Sequence, residues 1–83
     1  MIKFRPIDNY KTGKEEKSYA NLGAIADHFA EKYAKEKKLN MRRNNVRFSK
    51  VNDVTITGWS DIYEVRLEHP KLEFPIMIGY CTK

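Results

Sequence analysis

"VRFSKVNDVTITGWSDIYEVRL" (residues 46–67) is the stretch whose reading decides the fold. Apolar and polar side chains alternate along it. Val46 and Phe48 alternate with Arg47 and Ser49, Val54 and Ile56 with Thr55 and Thr57, and Tyr63, Val65 and Leu67 with Glu64 and Arg66. A two-residue period places successive side chains on opposite faces of a strand. The spacing predicts three consecutive strands here, joined by "VND" and "SD", and links that short make neighbouring strands antiparallel.

Register follows from keeping the aliphatic residues on one face. A two-residue turn at Ser60-Asp61 sets Ile56 opposite Val65 and Val54 opposite Leu67. A three-residue loop at Val51-Asn52-Asp53 then sets Phe48 opposite Ile56, whereas a two-residue loop would turn Phe48 to the other face. Trp59, Ile62, Thr57, Glu64, Thr55 and Arg66 fall on the opposite, open face.

Working outward, Phe74, Ile76, Ile78 and Tyr80 form a further alternating run after the turn "EHPK". Ile2 and Phe4 alternate with Lys3 and Arg5 at the other end, and Pro6 suits a strand end or sheet edge. Residues 8–17 are polar, contain Gly13 and read as a loop. Between them, Leu22, Ile25, Ala26, Phe29, Ala30 and Tyr33 recur at helical spacing and make one apolar stripe. The helix is expected over about 19–38, capped by Ser18 or, one turn later, by Asn21. Gly23 weakens its first turn or permits close packing.

The expected architecture is α+β. It is a two-layer sandwich with one amphipathic helix on an antiparallel sheet of four or five strands, in the order β-α-β-β-β-β. The pairing of the first strand is left open. Eighty-three residues allow one domain with one small core, here residues 1–83. A helix followed by three strands is similar to the first part of a double-stranded-RNA-binding domain. The chain has neither that family's C-terminal helix nor its lysine cluster at a helix start, so no residue role is carried over.

The charge is unevenly placed. "KEKKLNMRRNNVRFSK" (35–50) has seven basic side chains against Glu36, while the rest of the chain nearly cancels and the net charge is +5. Lysines at a helix C-terminus suit the helix dipole without any partner. Arg42, Arg43 and Arg47 follow the helix with no acid among them. Crowding like charges raises the energy of the compact state, and a polyanion would relieve it. Arginine also presents a planar fork that fits phosphate oxygens. The sequence therefore points to a nucleic-acid interface, a basic patch at residues 32–50 made by Lys35, Lys37, Lys38, Arg42, Arg43, Arg47 and Lys50, with Asn40, Asn44 and Asn45 as further donors and Trp59 as a stacking ring. RNA or single-stranded nucleic acid is preferred, because no second short helix marks a helix-turn-helix and an open sheet face with aromatic and basic side chains suits unpaired bases. The alternative partner is an acidic or nucleic-acid-handling protein, for which the chain would act as a small inhibitor or adaptor of the phage counter-defence type. The Trp59–Ile62 corner would then be the apolar anchor.

Enzymatic chemistry is not expected. His28, His69 and Cys81 have no metal-ligand spacing, and no phosphate-cradling glycine motif occurs. No cofactor is implied. A lone cysteine cannot form an internal disulfide, and no apolar run reaches the ~20 residues of a bilayer span. The expectation is a soluble, cytoplasmic domain, with dimerisation as one route to extra stability.

Overall fold

The computed structural model describes residues 1–82. One helix packs on one face of an open five-stranded antiparallel sheet, an α+β fold. The strands are β1 (Ile2–Pro6), β2 (Lys17–Tyr19), β3 (Val46–Val51), β4 (Ile62–Leu67) and β5 (Ile76–Thr82); the helix is α1 (Leu22–Lys37). A single 3-10 turn, Arg43–Asn45, leads into β3. The order across the sheet is β2-β1-β5-β4-β3. The first strand, whose place the sequence left open, sits between β2 and β5, with Phe4 opposite Cys81.

The core between helix and sheet holds most of the residues the two periodicities predict for it, but Val54, Ile56 and Tyr80 pack on the other face of the sheet. Ile25, Ala26, Phe29 and Ala30 of the helix meet Phe4, Val46, Val65, Leu67, Ile78 and Cys81 of the sheet. Ile25, Val65 and Leu67 are fully buried, and each such side chain removed from water is worth roughly 1.5–3 kcal/mol. Gly79 sits where β5 shifts register against β4 at Val65/Arg66. A Cβ on Gly79 would collide with the Arg5 carbonyl oxygen and the Phe4 ring, so a close strand crossing requires glycine there.

One strand forms in a different place from the one expected. Residues 54–57 are not a strand, and β3 pairs directly with β4, with Val46 opposite Leu67, Phe48 opposite Val65 and Val51 opposite Ile62. Direct pairing keeps Val46 and Phe48 on the helix face and gives the ladder its full six-residue length. Residues 52–61 become a loop folded back over the other face of the sheet. The alternation of Val54 and Ile56 still sends these side chains inward, but onto a second core of Ile56, Ile62 and Tyr80. The Trp59 N–H donates to the Ile56 carbonyl, and Gly58 takes the positive φ of +88° that this turn demands.

The fifth strand is β2, in the segment expected to be loop and helix start. Tyr19 pairs with Ile2 and Lys17 with Phe4. The element order is therefore β-β-α-β-β-β. The helix starts after Asn21, whose Oδ1 accepts from the Ala24 N–H at 2.9 Å. Ser18 lies in β2 instead of capping. At its C-terminus the helix closes on Lys38, which adopts the left-handed conformation at φ 55°.

Candidate nucleic-acid interface

The basic segment stays on the surface, and the fold distributes it over three addresses. Lys35 and Lys37 project from the last turns of α1, and Lys38 is the C-cap. Arg42 precedes the 3-10 turn and is exposed. Arg43 turns back along the helix. Arg47 and Lys50 lie on β3, an edge strand of the sheet.

Acids from elsewhere in the chain meet four of these cations. Lys35 lies 3.4 Å from Glu31, one turn earlier. Arg43 grips Asp27 through Nε and Nη2 at 2.9 and 2.6 Å. Arg47 lies 3.7 Å from Glu68 and Lys50 3.3 Å from Asp61. Part of the crowding seen in the sequence is therefore answered within the fold. All four pairs are largely exposed, so each contributes little and exchanges readily for another anion. Lys37, Lys38 and Arg42 have no ion pair among the described residues.

The Arg43–Asp27 fork has two consequences. Its hydrogen bond to Arg43 holds the Asp27 carboxyl below its usual value and, reciprocally, raises that of Arg43. Gly23 gives the guanidinium room, since a Cβ there would lie 3.2 Å from Arg43 Nη1. The close packing that Gly23 permits is thus against an arginine delivered from the loop after the helix.

The open sheet face expected to stack bases is covered. Besides Ile56, Ile62 and Tyr80, the second core gathers Ile7, Tyr10, Val54 and Trp59 from the two loops lying over that face, with Val51 and Met77 from the strands beneath. Arg5 fastens this cover. Its Nε donates to Glu16 at 2.7 Å and its Nη1 to the Tyr10 carbonyl at 2.8 Å, and its guanidinium lies 5.0 Å from the Trp59 ring centroid. Trp59 is half-buried on this arginine, and it lines a shallow hollow of about 270 Å³ with Lys50 and Asp61. The uncovered part of the outer face is a charge ladder. Arg47 stands opposite Arg66, and Arg66 lies between Glu64 at 3.1 Å and Glu68 at 3.4 Å.

Two features at the Arg42 end went unread in the sequence. Phe74, expected inside a strand, precedes β5 and is 73% exposed. A hollow of about 570 Å³ lies between the start of β3 and the β4–β5 connection, lined by Asn44, Asn45, Arg47, Glu68, Pro70 and Leu72 among others. Only the place of Phe74 in the sequence, between Glu73 and Pro75, hinted at the first. The second joins residues too far apart in sequence to be read together.

A further concavity of about 590 Å³ lies between α1 and the 8–17 segment over Phe4, Tyr19, Phe29 and Tyr33. Burial raises the pKa of both tyrosines, with Glu36 and Asp8 adding to the effect at Tyr33. Its rim sets Lys14, Lys17 and Lys32 against Asp8, Glu15 and Glu16, so it has no dominant charge. Among the described residues no group of three or more His, Cys, Asp or Glu side chains could hold a metal ion, and no helix is long and apolar enough to cross a membrane.

No family model, no curated protein and no solved structure matches this chain.

Proposed function

We propose that the chain is a non-enzymatic nucleic-acid-binding protein whose surface is the basic segment after α1, and that its target is RNA or another single-stranded nucleic acid. The observation that carries this reading is the trio Lys37, Lys38 and Arg42, exposed cations without an acidic partner among the described residues. Lys35, Arg43, Arg47 and Lys50 add cations whose exposed ion pairs are weak enough to yield to phosphate. Contact here runs along a ridge and a strand edge. Base stacking across the sheet plays no part, because the second core occupies that face. Trp59, with Lys50 beside it, contributes at the rim of its hollow and not from a platform.

The test is affinity for a short single-stranded RNA as a function of salt, for wild type and for Lys37→Glu/Lys38→Glu/Arg42→Glu. These side chains are exposed, so the variant keeps its fold by circular dichroism. Wild type is expected to show a log–log salt slope of about −2 to −4, and the variant to lose at least about tenfold in affinity with a shallower slope. Salt-independent binding, or a variant that binds as well as wild type, would overturn the reading. A second reading, docking on an acidic or nucleic-acid-handling protein, draws on the exposure of Phe74 as an apolar anchor. It does not draw on the Trp59–Ile62 corner, since Ile62 is buried beneath its loop. Under that reading Phe74→Ala abolishes binding to such a partner, while RNA affinity is absent in both proteins.

A further inference from the structure

The hollow beside Arg42 is built from two segments tied together before any ligand arrives. Asn45 Oδ1 accepts from the Arg42 N–H at 2.9 Å, and its Nδ2 donates to the Glu68 carbonyl at 2.9 Å. The Glu68 N–H donates to the Asn45 carbonyl at 2.8 Å. His69 completes the tie. Its Nδ1 accepts from the Lys71 N–H at 3.0 Å, which leaves Nε2 to donate to the Asn40 carbonyl at 3.1 Å. Both loops are thereby fixed relative to each other. A site whose walls need no ordering on binding loses less affinity to entropy.

The lining combines what an unpaired nucleotide needs. Pro70, Leu72 and Pro75 give apolar surface for a base face. The Asn44 carboxamide is exposed and has no hydrogen bond among the described residues, so it offers a donor and an acceptor side by side. Arg47 is 3.7 Å from Glu68, beyond hydrogen-bond length, and is available to a phosphate. The Glu68 carboxylate keeps acceptor capacity for an exocyclic amine, its charge offset by Arg47 and Arg66.

We infer that this hollow holds one unpaired nucleotide and favours a base with an exocyclic amino group, such as adenine or cytosine, over uracil. In it Asn44 and Glu68 meet the base edge, and Arg47 and Arg42 take the flanking phosphates. The pairing chemistry is that of asparagine with adenine and of a carboxylate with the cytosine amine. The inference rests on the nucleic-acid reading above and specifies where that surface reads a base.

The experiment has two parts, on the full chain. The first measures affinity for eight-residue oligoadenylate, oligocytidylate and oligouridylate at low salt. The second follows the side-chain amide resonances of Asn44 and the ring resonances of His69 on addition of AMP, CMP or UMP. Adenylate and cytidylate are expected to bind about fivefold or more tightly than uridylate. Asn44→Ala should erase this preference by lowering adenylate and cytidylate affinity toward that of uridylate. Equal binding of the three oligomers with no resonance shift overturns the hollow and leaves the charge-driven surface standing. Monophosphate shifts at Asn44 with no oligomer binding support the hollow and overturn the charge-driven surface. The absence of both responses overturns both.

Discussion

Lys38 holds a left-handed backbone conformation that costs an L-residue roughly 1 kcal/mol, and it does so at the C-cap, where glycine is the usual solution. It is also one of three cations in the basic segment with no ion pair among the described residues. Lys38→Gly should therefore separate the two roles. Stability should rise by about 0.5–1 kcal/mol, or a few degrees in Tm, while RNA affinity falls about threefold through the lost phosphate contact. Calorimetry and a binding titration on the same preparation check both signs, and affinity that does not fall would remove Lys38 from the interface. Asp27 gives a pH-dependent counterpart. Its carboxyl is held below the ordinary 3.8 by the hydrogen bond from Arg43. The resulting stability is fully present above that ordinary value and is lost as pH falls through the lowered, folded-state value. Urea midpoints of wild type and Asp27→Asn should differ slightly at neutral pH and converge once the pH has fallen below the lowered, folded-state value. The difference is small because the fork is exposed to solvent.

Among the elements, the two loops over the outer sheet face behave as one unit because a single side chain holds both. Arg5 reaches Glu16 and the Tyr10 carbonyl in the first loop and the Trp59 ring in the second, with its own side chain only 16% exposed. Gly13 is part of the same arrangement: a Cβ there would lie 2.8 Å from the Arg5 guanidinium carbon. Arg5→Met keeps the stem and removes the charge. It should cost about 2 kcal/mol, since it leaves Glu16 and the Tyr10 carbonyl without their donor. Hydrogen exchange of amides in residues 8–16 and 52–61 should speed up together, while the β4–β5 ladder stays protected. Faster exchange in only one loop would show that the loops are held independently. These loops also explain why the strand at 54–57 was misread. Val54 and Ile56 alternate whether they sit in a ladder or lie across a sheet as a lid, because in both cases alternate side chains point to one apolar surface. The signal against a strand was Gly58 with Trp59 and the competing six-residue match of β3 to β4.

At the level of the whole molecule, net charge and its placement dominate any association. A domain of +5 with its surplus in residues 35–50 attracts polyanions over a distance set by salt. The log–log salt slope counts the phosphates displaced, so it tells a three-cation ridge from a surface that also recruits Arg43, Arg47 and Lys50. The triple charge reversal is read against that slope because an affinity loss alone would not distinguish lost charge from lost shape.

Local chemistry in the sequence was enough for the helix with its apolar stripe, three of the antiparallel strands to within a few residues of their ends, most of the helix-side core and the position of the surplus charge. Each depends on residues a few positions apart, whose period or composition is visible along the chain. The pairing of β1 between β2 and β5, the three-residue strand at 17–19 and the folding of 52–61 over the sheet depend on competition between distant segments for the same backbone and apolar surface. The same holds for the interface. Seven basic residues were legible as a cluster. Their separation into partnered and unpartnered cations was not, because Asp27, Glu68 and Asp61 reach them only through the tertiary fold. Sequence distance hides such encounters: an ion pair or a hollow needs groups within a few ångströms in space, and only the packing of helix, sheet and loops brings them there.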